Sequence, residues 1–164
     1  MPSISSNLVE TESQSLDYSQ AQRDIISEAI GILETMLVTG EALTSSAAVK
    51  QFCQLQIAEE KDEHFCCLFL DNQHNLIRFE KLFRGTVNSA SVHPRAVVRL
   101  ALELNAAAVI FTHNHPSGMT TPSQADKQIT QRLKEALELV DVRVLDHIVV
   151  GFGECTSFAE AGLL

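Results

Sequence analysis

The sequence predicts an α/β layered domain. Short apolar runs alternate with stretches of helical periodicity along the chain. The 164 residues, 45% of them hydrophobic, suffice for one domain around one core. Two of the apolar runs, "HFCCLFLD" and "AAAVIFTH", are short and read as buried strands.

The elements follow in order. Residues 1–20 are rich in Ser and poor in large apolar groups, and are expected to form a flexible tail. From Ala21 to Val38 the residues Ile25, Ile26, Ala29, Ile32, Leu33, Met36 and Leu37 recur at helical spacing, and Gly40 is placed to end that helix. With its exit the helix takes up residues 21–42, and the main domain is expected over 43–164. A second helix is expected from Thr44 or Ser45 through Val49, Phe52 and Leu55 to Glu59. The strand His64–Asp71 turns through "DNQHN" into a hairpin partner, "NLIRFEKLFRG". "GTVNSASVHP" reads as a loop. Pro94 suits a first helical turn, and Val97, Leu100, Ala101 and Leu104 make one stripe behind it. "AAAVIFTH" is a central strand, and "SQADKQITQRLKEALELV" a helix with Ile129, Leu133 and Leu137 four apart. "VRVLDHIVVG" is another buried strand, and "TSF" is expected to add an edge strand.

Composition narrows the function. Twelve Lys and Arg against 21 Asp and Glu leave a net charge of −9, which repels phosphate backbones over most of the surface. Nucleic acid is therefore a disfavoured partner, although Arg78, Lys81, Arg84, Arg95 and Arg99 lie close together in sequence. No basic segment leads into an apolar stretch at the N-terminus, and no apolar run reaches the roughly 18 residues of a spanning helix. Cys53, Cys66, Cys67 and Cys155 form no C-x-x-C pair. They read as core residues, with Cys66 and Cys67 on opposite faces of a strand. A cytoplasmic protein is expected.

"FTHNHPSGMTTPSQAD", Phe111 to Asp126, is the informative stretch. In a strand, residues two apart point to one side, so His113 and His115 share a face and Asn114 faces away. Pro116, Ser117 and Gly118 reverse the chain. Thr121 suits an N-cap, Pro122 the first helical position and Gln124 a capping box. Ser123 and Asp126, three apart, share a helical face that a folded-back loop brings over the histidines. An isolated H-x-H is ordinarily a pair of surface or hydrogen-bonded histidines; the capped helix with its acid tips that balance. Two neutral imidazoles and one carboxylate suit a catalytic Zn²⁺, which takes three protein ligands and leaves one position to water. The contiguous letters "HNH" do not make an HNH nuclease, whose residues spread over a longer ββα motif. A zinc deaminase needs H-x-E and P-C-x-x-C, and neither is present.

His-x-His, ten residues and Asp, with Ser three before that Asp, resembles the JAMM motif of the MPN/JAB metallopeptidases. "LFRGTVNSASVHPRAVVRLALELNAAAVIFTHNHPSG", "PSQAD" and "VRVLDHIVVG" are similar to the RadC family, over a span from Leu43 to the C-terminus. The resemblance implies a mixed sheet flanked by helices, similar to cytidine deaminases. It implies His113, His115 and Asp126 as zinc ligands and Ser123 as a hydrogen-bond donor near the metal water or the oxyanion. It implies a general base before an upstream strand, a position that Glu63 matches, with Glu80 as second choice. RadC proteins carry an N-terminal helix-hairpin-helix region; residues 1–40 show no glycine-hairpin pattern, so a short stand-alone form is expected. The family's traditional label is DNA repair, which the charge of −9 does not favour.

These readings converge on a zinc-dependent hydrolase of peptide or isopeptide amides. The rivals are a DNA-associated or mobile-element accessory protein that no longer cleaves, and a metal-bound interaction module. His147 is expected to be a satisfied structural histidine, the alternative being a pair with Asp146 or support of the site from behind, and His93 is read as structural likewise. His64 and His74 read as surface or turn residues, and Asn88 and Ser91 as residues lining the cleft. The broad apolar face of the first helix is expected to pack on the domain or on a second chain, as in a homodimer.

Overall fold

A strand whose residues are apolar on both faces must lie between two covering layers. His64–Leu70 is buried along its whole length, and so is Ala108–Asn114. These two strands sit at the middle of a mixed five-stranded sheet in the computed structural model, which describes residues 18–38, 45–85 and 92–164. In chain order the elements are α1 (Gln20–Val38), α2 (Ser46–Ile57), β1 (His64–Leu70), β2 (Leu76–Arg84), α3 (Pro94–Glu103), β3 (Ala108–Asn114), α4 (Gln124–Glu138), β4 (Arg143–Val150) and β5 (Cys155–Ser157). The sheet order is β2-β1-β3-β4-β5, parallel only between β3 and β4. The expected α/β architecture with a mixed sheet is thus present. The readings of the N-terminal tail, Gly40, Thr44, Asn88 and Ser91 fall outside the described residues, apart from residues 18–20.

Strand alternation sorts the core into two clusters. Cys66, Leu68, Leu70, Ala108 and Ile110 face one side, where Leu37 of α1 and Phe52, Cys53 and Ile57 of α2 cover them. Phe65, Cys67, Phe69, Val109 and Phe111 face the other, under Val97 and Ala101 of α3 and Ile129, Leu133 and Leu137 of α4. The faces are those predicted for adjacent Cys66 and Cys67. Strict alternation of side chains is broken in β2. Its pairing with β1 skips Ile77 and Leu82, and these irregularities put Leu76 and Phe79 on the same core cluster. On α1, Leu37 is buried while Ile25 and Ile32 are exposed. No helix among the described residues is long and apolar enough to cross a membrane.

Burial raises the Cys53 and Cys67 thiols well above their ordinary value and Cys66 to about 12. Since the thiolate is the reactive species, these three are expected to stay unlabelled by Ellman's reagent in mildly alkaline native buffer and to react on unfolding. Fast labelling of the native chain at any of them would show a core that opens.

Candidate metal centre

The site is assembled by three pieces of local structure at one end of the sheet. The first is the end of β3. Residues 109, 111 and 113 point to the α3/α4 side, so His113 lies fully buried beneath α4. His115 follows the strand, anchored by its N–H donating to the Val150 carbonyl. Its ring is fixed by the loop beyond, where His115 Nδ1 lies 2.8 Å from the Met119 carbonyl. A carbonyl only accepts, so Nδ1 carries a proton, and in the neutral ring Nε2 turns a lone pair to the site. That loop is pressed against the turn after β4. Gly118 has φ +79°, and a Cβ there would lie 2.2 Å from the Phe152 ring, so glycine alone fits.

The second piece is the N-terminus of α4. The helix begins at Gln124 with Ser123 as N-cap, two residues later than the expected cap at Thr121. The capping box is Ser123 with Asp126: Ser123 Oγ accepts the Asp126 N–H at 3.1 Å, and Asp126 Oδ2 accepts the Ser123 N–H at 2.6 Å. "TTPSQAD" contains two overlapping cap patterns. The later one brings the Asp126 carboxylate to the histidines, with Oδ1 3.2 Å from His113 Nε2 and Oδ2 3.4 Å from His115 Nε2. The two Nε2 atoms are 2.9 Å apart.

The third piece is the loop before β1. Glu63 sits there, with its Oε1 3.9 Å from His115 Nε2. Glu63, His113 and His115 offer ligand atoms that all lie within 4.8 Å of one another, a group able to hold a metal ion. Asn114 does point to the opposite side of β3, but it has a task there. Its Oδ1 accepts the His64 N–H at 2.8 Å, and its Nδ2 donates to the carbonyls of Glu60 and Asp62 at 3.1 and 3.0 Å. The middle residue of His-Asn-His therefore pins the backbone that carries Glu63. His64 is 9% exposed at the start of β1, not on the surface as expected. Glu80, the second choice for the base, lies on β2 opposite Cys67 and pairs with Arg78, away from the group.

Electrostatics match this geometry. Burial pushes the Asp126 carboxyl up, but the His113 and His115 rings, which donate to it when they are charged, and the Ser123 hydrogen bond outweigh burial and hold the group well below the carboxylate range. The hydrogen bond with Asp126 raises the His115 imidazole against the effect of burial. His147, fully buried, is pushed well below its ordinary value by burial and by His113, and is neutral.

A family model described as a RadC-like JAB domain matches residues 43–163. The chain belongs to this family. A UPF0758 protein of Vibrio cholerae is 55% identical over 152 residues, 90% of this chain and 96% of the relative. A UPF0758 protein of Nitrosococcus oceani is 58% identical over 132 residues, 80% of this chain but only 59% of the relative's own length. A further one, of Methylibium petroleiphilum, is 58% identical over 132 residues, covering 80% of this chain and 60% of the relative. A JAB domain is compatible with hydrolase chemistry, and the relatives' shared name states no activity.

Proposed function

We propose that this RadC-like domain is a zinc-dependent metallohydrolase that cleaves peptide or isopeptide amides. The observation that carries the reading is the convergence of His113 Nε2, His115 Nε2 and the Asp126 carboxylate on one point. The two Nε2 atoms lie 2.9 Å apart, with Asp126 Oδ1 3.2 Å from one and Oδ2 3.4 Å from the other, spacings of the size of the roughly 3.3 Å ligand–ligand separation around a tetrahedral zinc with bonds of about 2.0–2.1 Å. Three ligands leave the fourth position open. When bound there, zinc supplies a water of lowered pKa and polarises the scissile carbonyl.

The chain's own residues do the rest. Glu63, more exposed than Asp126, takes the proton of the attacking water and returns it to the leaving amine. Ser123 Oγ accepts the Asp126 N–H, and its own O–H proton is not spent in that bond. That proton serves the developing oxyanion. Four of the five basic residues that lie close together in sequence have an acidic neighbour. Arg84 pairs with Asp62, Lys81 with Glu60, Arg78 with Glu80 and Arg99 with Glu103.

The test is zinc content by elemental mass spectrometry on tag-free chain given limiting zinc, followed by a screen of peptide and isopeptide amides. About one zinc per chain and metal-dependent hydrolysis are expected. A folded chain that takes up no zinc overturns the reading.

A further inference from the structure

His147 is not used by the mechanism above, yet it is the residue most tightly built into the site. It stands on β4, where Phe111 is its register partner on β3, so its side chain emerges on the same face as His113. Phe158 stacks on its ring at 4.7 Å, and Phe65 and Phe111 meet it edge-on at 5.5 and 6.0 Å. Within that apolar box it has two polar contacts: Nε2 is 2.8 Å from His113 Nδ1, and Nδ1 is 2.6 Å from Thr130 Oγ1. Thr130 Oγ1 also donates to the Asp126 carbonyl at 2.6 Å.

Counting protons along this row fixes every direction. Thr130 has one hydroxyl proton, and the Asp126 carbonyl takes it. Thr130 Oγ1 is then an acceptor, so His147 Nδ1 donates to it. A neutral imidazole has one N–H, so His147 Nε2 is also an acceptor, and His113 Nδ1 must donate. In a neutral His113, Nε2 is then left with its lone pair toward His115 and Asp126. Run the other way, the row would place a proton on His113 Nε2 and block the metal.

We propose that His147 and Thr130 are positioning residues that set the tautomer of His113 and so present its Nε2 lone pair to the metal. The inference rests on the metal reading above and deepens it. It leaves the two Nε2 atoms, 2.9 Å apart, with their lone pairs available to one cation. It also explains why a threonine occupies a buried position on α4: valine has the same shape but offers no acceptor to His147.

The test uses the full chain, with zinc affinity read by competition against a chromophoric chelator. Thr130→Val is expected to weaken zinc binding about 10–100-fold, and Thr130→Ser, which restores the hydroxyl, to stay within about threefold of wild type. Ring nitrogen NMR of the zinc-loaded wild type is expected to show protonated Nδ1 on His113, His115 and His147. Wild-type affinity in Thr130→Val, or an Nε2 proton on His147, overturns the relay and leaves the hydrolase reading intact. A wild-type chain that binds no zinc overturns both. Should the valine variant not fold, the wild-type NMR spectrum decides.

Discussion

Changing Glu63 to Gln is expected to lower amide turnover by about 10²–10⁴-fold while zinc stays bound. The two carboxylates of the site have different surroundings, and that difference underlies the roles proposed for them. The Asp126 carboxylate, with its side chain 2% exposed, lies near both Nε2 atoms. Glu63, with its side chain 16% exposed, reaches His115 only at 3.9 Å, which leaves room for a water. Gln keeps the size of the side chain and removes its basicity. Asn114 holds the loop by the backbone of Glu60, Asp62 and His64. Turnover and zinc content measured on one preparation separate the alternatives. Full activity would place the base elsewhere. Loss of zinc with turnover would make Glu63 a ligand.

Much of this site is legible in the sequence because it rests on local geometry. Strand periodicity puts His113 and His115 on one side, and a cap pattern starts a helix just before Asp126. What escapes is whatever a neighbouring strand or loop decides. Asn114 does face away from the metal side, but that its amide pins the loop before β1 depends on β1 and β3 being neighbours. His64 looks like a surface residue until its strand is placed in the sheet. The cap expected at Thr121 puts the helix start two residues early, because Ser123 satisfies the same local rule. Only the second makes Asp126 the capping acid and a neighbour of the imidazoles. For His147, the letters "LDH" allow pairing with Asp146. In the fold, the Asp146 carboxylate instead accepts from Ser157 Oγ and from the backbone N–H groups of His147 and Ala159. The ring turns the other way, to His113 and Thr130.

Asp126→Asn is expected to remove zinc binding and activity together while leaving α4 folded, because Asp126 does two jobs that the substitution separates. As a cap, it needs one oxygen to accept the Ser123 N–H, and Asn supplies one. As the proposed ligand, it also presents Oδ1, 3.2 Å from His113 Nε2, and Asn with its oxygen kept on the cap puts an NH₂ there, a donor with no lone pair for a metal. The loss of zinc affinity should exceed the roughly 10–100-fold typical of groups that merely support a ligand. Asp126→Ala removes both jobs and should cost about 1 kcal/mol more stability than Asn through the lost cap. The metal-free chains carry a pH signature as well. The Asp126 carboxyl is held below its unfolded value, despite burial, by His113 and His115. Its stabilisation is therefore present above the unfolded pKa of about 3.9 and is lost as the pH falls below it. Asn cannot lose what it does not have, so the melting temperatures of the metal-free wild type and Asp126→Asn should converge in acid and separate toward neutrality. A variant that retains zinc at wild-type affinity would move the third ligand to Glu63, and the base would then have to be sought among the remaining residues at the mouth of the site.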